Sequence, residues 1–112
     1  RKVEIFCEGE SMSVPVQAIS YAESQGHEQC LYMIGWSKEK LYTRLTMAQL
    51  EELLFPQGFL RIHKQYLVNM TYLQSLQSTG AVLTTGKSLK ASARNYRENQ
   101  KKFVNWKAQQ LW

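Results

Sequence analysis

The sequence predicts a mainly β fold with one short helix near its middle and one closing helix. Three observations predict it. Short runs rich in β-branched and aromatic residues recur along the chain, each bounded by polar or glycine-containing turns. A single internal stretch, Thr46 to Leu54, carries a helix start signal and a helical apolar period. The last segment sorts into an apolar and a basic face only when it is stepped as a helix.

The elements follow in chain order. Val3 to Cys7 reads as a first strand and Met12 to Val16 as a second, with Pro15 marking an edge or a bend. Ala18 to Glu23 is a third, with Ile19 and Tyr21 on one side at period two. Ser24 to Glu28 is a polar connector containing Gly26. Cys30 to Trp36 and Leu41 to Leu45 bracket Ser37-Lys38-Glu39-Lys40, a hairpin loop. Thr46 and Gln49 have the spacing of a capping box, in which the hydroxyl accepts from one backbone amide and the Gln side chain reaches back to another. Met47, Leu50 and Leu54 fall at i, i+3 and i+7, and Pro56 and Gly58 stop that helix. Leu60 to Val68, Tyr72 to Leu76, Ala81 to Thr85 and Ser88 to Ala91 then read as strands, the last two joined at Gly86-Lys87.

The closing helix is expected from Ala93 to Gln109, with Ser92 as its N-cap. Tyr96, Gln100, Phe103, Val104, Lys107 and Leu111 then share a packing face. Arg94, Arg97 and Lys101 form a separate basic stripe that begins at the helix N-terminus, where free amides and the dipole also favour phosphate. Tyr21, Phe59, Tyr66, Tyr96 and Phe103 fall at packing periods and belong to the core. No repeat or low-complexity linker interrupts the chain, so residues 1–112 read as one domain.

Composition narrows the class. At 44% hydrophobic residues the chain can build a core and is not disordered. It begins at Arg1, which predicts a piece cut from a longer protein. No apolar run approaches the roughly 20 residues needed to span a bilayer, and no membrane contact is expected of this domain. Cys7 and Cys30 each sit in an apolar strand-like run and read as buried free thiols, which fits a cytoplasmic location. Charge says more. Residues 1–56 hold five Lys/Arg and eight Glu, a net of −3, whereas residues 57–112 hold nine Lys/Arg and one Glu, a net of +8. A basic half almost free of acids points to a polyanionic partner.

Catalysis finds little to work with. The chain has two histidines, His27 and His63, and no Asp, which removes a Ser-His-Asp triad and leaves paired-carboxylate chemistry poorly supplied. The histidines and cysteines match no zinc-ligand spacing, and the glycines are isolated, not grouped in a phosphate-binding loop. No enzyme, metal or cofactor is expected.

One segment is more specific. Gly58-Phe59-Leu60-Arg61-Ile62-His63-Lys64-Gln65-Tyr66-Leu67-Val68-Asn69 resembles the signature strand of LytTR domains, the output modules of bacterial transcription regulators. Ile19-Ser20-Tyr21-Ala22-Glu23 is similar to that family's early Ile-x-Tyr-x-Glu strand. Leu50 to Phe59 resembles its short helix leading into the Phe, and Ser88 to Tyr96, with Ser92-Ala93-Arg94-Asn95-Tyr96, is similar to its closing strand-plus-helix. The pieces occur in the family's order from Ile19 to Phe103. The resemblance implies small packed β-sheets and sequence-specific binding of double-stranded DNA, with side chains on loops reading successive major grooves. It also implies direct repeats bound as a homodimer, and an upstream receiver or other sensory domain.

The resemblance carries contacts over residue by residue. The first groove-reading position falls on Gln29 or on His27, in the loop before the fourth strand. The second falls on Lys64, a point charge suited to phosphate. His63 beside it reads as structural, a half-buried strand histidine held by hydrogen bonds. The third falls on Arg94, which the basic stripe marks independently. Arg to guanine O6/N7 is the commonest specific contact. Asn95, Arg97 and Lys101 would then touch the backbone. Two other classes compete: a β domain whose basic half binds an acidic protein or ligand, and an RNA-binding β module. The second needs aromatics exposed on a sheet face, which the pattern does not supply.

Overall fold

The computed structural model describes residues 1–111. Its large sheet is built from β1 (Lys2–Cys7), β2 (Glu10–Pro15), β3 (Ile19–Gln25), β4 (Glu28–Met33), β5 (Lys40–Thr43), β6 (Phe59–His63) and β7 (Tyr66–Asn69). Its spatial order is β2-β1-β5-β4-β3-β7-β6, and neighbours pair antiparallel. A small antiparallel sheet holds β8 (Leu73–Leu76), β9 (Gly80–Leu83) and β10 (Ser88–Lys90). The helices are α1 (Met47–Leu54) and α2 (Tyr96–Gln110).

Alternation along the strands sends side chains to two cores. On one face Ile5, Val14, Ile19, Leu31, Leu41 and Leu67 cluster with Met47, Leu50 and Leu54 of α1. The β1–β2 hairpin curls over this face. Its contact with β5 is the single pair Cys7–Thr43, and its far end returns to Asn69, whose side-chain amide donates to the Val16 carbonyl. On the other face Tyr21, Leu60, Ile62 and Val68 cluster with Leu76, Leu83 and Leu89 of the small sheet and Phe103 of α2. Cys7 and Cys30 are buried free thiols, as expected. Burial pushes Cys7 up to about 11 and raises Cys30 as well.

Local signals set α1. The Thr46 hydroxyl accepts from the Gln49 amide at 3.1 Å and the Gln49 side chain accepts from the Thr46 amide at 2.8 Å, the reciprocal capping box. Thr46→Ala should therefore cost about 1 kcal/mol in chemical denaturation, and an unchanged midpoint would contradict it. After α1, Phe55–Gln57 form a single 3-10 turn and Gly58 adopts φ +94°. A Cβ at Gly58 would lie 2.9 Å from Nε1 of Trp106, so only glycine admits both the backbone conformation and the indole.

Four expectations need correction. Ile19 and Tyr21 do not share a side: a β-bulge between them in β3 sends Ile19 to the α1 core and Tyr21 to the other. Leu60 to Val68 is not one strand: β6 and β7 are separate, joined by Lys64-Gln65. The turn lacks Gly or Pro because side chains make it. Nδ1 of His63 accepts from the Gln65 amide at 3.1 Å, and the Arg61 guanidinium donates to the Lys64 carbonyl at 2.8 Å. The closing helix does not start at Ala93. Ala93–Asn95 form a 3-10 turn, α2 begins at Tyr96, and Ser92 makes no side-chain cap. The buried face of α2 is also rotated from the expected one. Asn99 and Phe103 are buried, Tyr96 and Trp106 pack partly, and Val104 and Leu111 are 50% and 83% exposed. The contact of Trp106 with Gly58 and a bond from Asn99 to β6 turn the helix this way.

Candidate nucleic-acid interface

Strand direction decides where the polar side chains gather. β3, β5 and β6 end at one rim of the large sheet, and β4 and β7 start from it. The connections on that rim are Gly26-His27, the loop opening at Arg44, and Lys64-Gln65. The Ser24 amide donates to the Gln65 carbonyl at 2.9 Å, which fixes the first hairpin beside the third connection. The Ser92 amide donates to the Ile62 carbonyl at 2.7 Å, which brings the 3-10 turn of Arg94 against the end of β6.

Two neighbouring clefts result. One, of about 670 Å³, is lined by Arg61, His63, Lys64, Arg94, Asn95 and Lys102 among others. The second, of about 500 Å³, is lined by the 3-10 turn and the first turns of α2, and includes Arg94, Asn95, Arg97 and Lys101. Arg94 and Asn95 belong to both. Arg94, Asn95, Arg97, Lys101 and Lys64 are all exposed. Residues from three different parts of the chain thus share one surface, and the separation of charge along the sequence becomes a basic cleft. Glu51 and Glu98 also line the first cleft, and Glu51 lies 3.4 Å from Arg61 in an ion pair.

The first groove-reading position is placed differently from expectation. Gln29 is not in the connector, because the β3–β4 hairpin closes on only two residues, Gly26 and His27, with Gly26 at φ +64°. Gln29 lies within β4, paired with Ser24 and Thr43, and is 5% exposed. Its side-chain oxygen is buried without a hydrogen-bond partner. His27 stands exposed at the hairpin tip. The folded chain presents His27, not Gln29, on the rim.

Several side chains hold the rim together by hydrogen bonds and stacking. His63 is half-buried and closes the Lys64-Gln65 turn, the structural part expected of it. Glu23 accepts from the Tyr32 hydroxyl at 2.9 Å and from the Tyr66 hydroxyl at 3.4 Å, tying β3 to β4 and β7. Tyr21 stacks on Tyr32 with ring centroids 4.4 Å apart. Burial first, and then the Glu23 bond, push the Tyr32 hydroxyl well above the usual phenol range. Sequence reasoning missed Arg44 and Lys102. Arg44 is exposed on the same rim but sits in the acidic half, within a run read as strand. Lys102 lines the first cleft while lying over the Phe55 ring, 5.6 Å from its centroid. Neither carries a local signal, because strand pairing places Arg44 and the docking of α2 on β6 places Lys102.

The arrangement presents cations and amides on an open surface and suits a large anion. Among the described residues no group of three or more His, Cys, Asp or Glu side chains could hold a metal, and no helix is long and apolar enough to cross a membrane. A family model described as the LytTr DNA-binding domain matches residues 9–103. Among solved structures, the chain is similar to the LytTr DNA-binding domain of a protein named as a methyl-accepting/DNA response regulator from Bacillus cereus. The two share 18% identity and a TM-score of 0.71, over 92% of this chain and 95% of that one. At that identity the likeness is one of fold. No curated protein matches the sequence.

Proposed function

This chain belongs to the LytTr family of DNA-binding domains, and from that premise we propose that it reads direct repeats in double-stranded DNA to regulate transcription. One observation carries the reading: Lys64, Arg94 and Asn95, chosen from separate stretches of sequence, line a single basic cleft. Arg94 reads a guanine in the major groove, and Lys64, Asn95, Arg97 and Lys101 hold the phosphates on either side. His27, on the same rim, meets the neighbouring groove. The domain acts as a binding module, not as a catalyst. It works in the cytoplasm as the output part of a response regulator, behind a receiver or other sensory domain, with two copies side by side on the DNA.

Selection from a randomised duplex pool tests the reading. A directly repeated motif should emerge, and a pool that never enriches would defeat it. Lys64→Ala tests one contact more narrowly. As a point charge on phosphate it should weaken every duplex alike and lower the slope of log K against log salt by about one. A loss confined to one base position would contradict that assignment.

A further inference from the structure

We infer that Asn99 and Arg61 are positioning residues of the interface, which together set the placement of Arg94 relative to Lys64. The inference rests on the reading of Lys64 and Arg94 as DNA contacts.

β6 is an edge strand of the large sheet, so one side of its backbone has no strand partner. An uncovered edge invites pairing with other chains. Here two groups from the last quarter of the sequence cover it. The Ile62 carbonyl accepts from the Ser92 amide at 2.7 Å. The Arg61 carbonyl accepts from Nδ2 of Asn99 at 3.1 Å. Asn99 is 6% exposed, in the middle of the face that α2 buries. A buried amide at such a position is a liability unless its bond is made, and this one is made to β6.

Arg61 extends the connection in the opposite direction. Its Nη2 donates to the Lys64 carbonyl at 2.8 Å, and Nη1 reaches Glu51 of α1 at 3.4 Å. One residue therefore joins α2 through its backbone, and α1 and the Lys64 turn through its side chain. Arg94 lies between the two anchors, Ser92 and Asn99. Locally it is held only by the backbone bond of the 3-10 turn, from the Tyr96 amide to the Ala93 carbonyl. Neither the 3-10 turn nor the start of α2 has a side-chain cap. Its position is set by where Ser92 and Asn99 attach to β6.

The two kinds of contact respond differently to a lost anchor. A bidentate Arg–guanine pair needs its geometry, whereas attraction to phosphate falls off gradually with distance. Releasing Asn99 therefore costs sequence discrimination first and general DNA affinity little. Asn99 itself is buried, and the Arg61 guanidinium is committed to Lys64 and Glu51, so both act through others.

A double-mutant cycle tests this. Asn99→Leu, Arg94→Ala and the pair are titrated with a duplex selected from a random pool and with an unrelated duplex, and affinities are referred to the folded fraction measured by circular dichroism. Asn99→Leu should weaken the selected duplex roughly tenfold, as for loss of one well-aligned charged contact, and the unrelated duplex hardly at all. That loss should vanish in the Arg94→Ala background. Equal losses on both duplexes, or an undiminished loss without Arg94, would overturn the inference. Should Asn99→Leu fail to fold, Arg61→Lys takes its place. It keeps the charge but cannot span Glu51 and the Lys64 carbonyl together, and should show the same selective loss. An Arg94 effect with no Asn99 or Arg61 effect overturns this inference alone. An Arg94→Ala domain that binds the selected duplex normally overturns the interface and the inference with it.

Discussion

Arg94→Ala is expected to weaken binding of the selected duplex by roughly 1–3 kcal/mol, about 5- to 150-fold, while leaving the unfolding midpoint in place. The two halves of that expectation have separate causes. Binding falls because a guanidinium offers two parallel donors to guanine O6 and N7, and alanine offers none. Stability holds because Arg94 is exposed and makes no side-chain hydrogen bond or ion pair among the described residues. Arg94→Lys separates base reading from charge. It keeps the cation but loses the fork, so it should retain general DNA affinity and lose most of the discrimination. Equal retention of both would show that Arg94 serves phosphate alone. The measurement is a binding titration against the selected duplex and single-base variants of it, at fixed salt, since affinities across salt concentrations are not comparable.

Asn69→Leu is the substitution expected to damage the fold most. Asn69 is 0% exposed and ends the signature strand. Its Nδ2 donates to the Ile19 carbonyl at 3.0 Å and, less closely, to the Val16 carbonyl at 3.4 Å. Its Oδ1 accepts from the Thr71 amide at 3.0 Å. One side chain thus satisfies backbone groups where β3 begins, where β2 has just ended and where the chain leaves β7 for the small sheet. Leucine fills similar space and satisfies none of them. Each buried group left unpaired costs about 1–3 kcal/mol, so a loss of about 3–5 kcal/mol is expected. Small domains total about 5–15 kcal/mol, so the variant should be partly unfolded at physiological temperature. Urea denaturation at constant slope would measure it, and a loss under about 1 kcal/mol would mean that water or the backbone replaces the bonds. Asn69, in the stretch that resembles the family signature, thus has a structural part in this chain.

The readable parts of the fold were those whose causes lie within a few residues. The capping box at Thr46 and Gln49, the stop at Pro56 and Gly58 and the alternating strands on either side of α1 each follow from neighbouring side chains acting on the local backbone. The parts misread were those made by distant residues. The Lys64-Gln65 turn looks like continuous strand because its determinants are the ring of His63 and the guanidinium of Arg61, not a turn residue. The face of α2 was misplaced because Asn99, polar by type, is buried by its bond to Arg61, while Val104, apolar by type, finds no surface to cover. Ser24 to Glu28 reads as a five-residue polar connector before the fourth strand, but pairing reaches Gln25 and Glu28, so the loop is only Gly26-His27 and Gln29 lies within β4.

Residue type and short-range spacing were enough for the class of the chain, its family likeness, its basic second half and its element order apart from the β6–β7 split. Both are properties of the chain before it folds. Only the folded chain puts His27 and not Gln29 exposed on the rim, sets Arg44 on that rim and Lys102 in the cleft, and brings Lys64 and Arg94 together there. Those facts depend on strand pairing and helix docking across tens of residues, as in the bonds from Ser92 and Asn99 to β6. Each such contact is set by the packing of both partners, so neither local stretch encodes it alone.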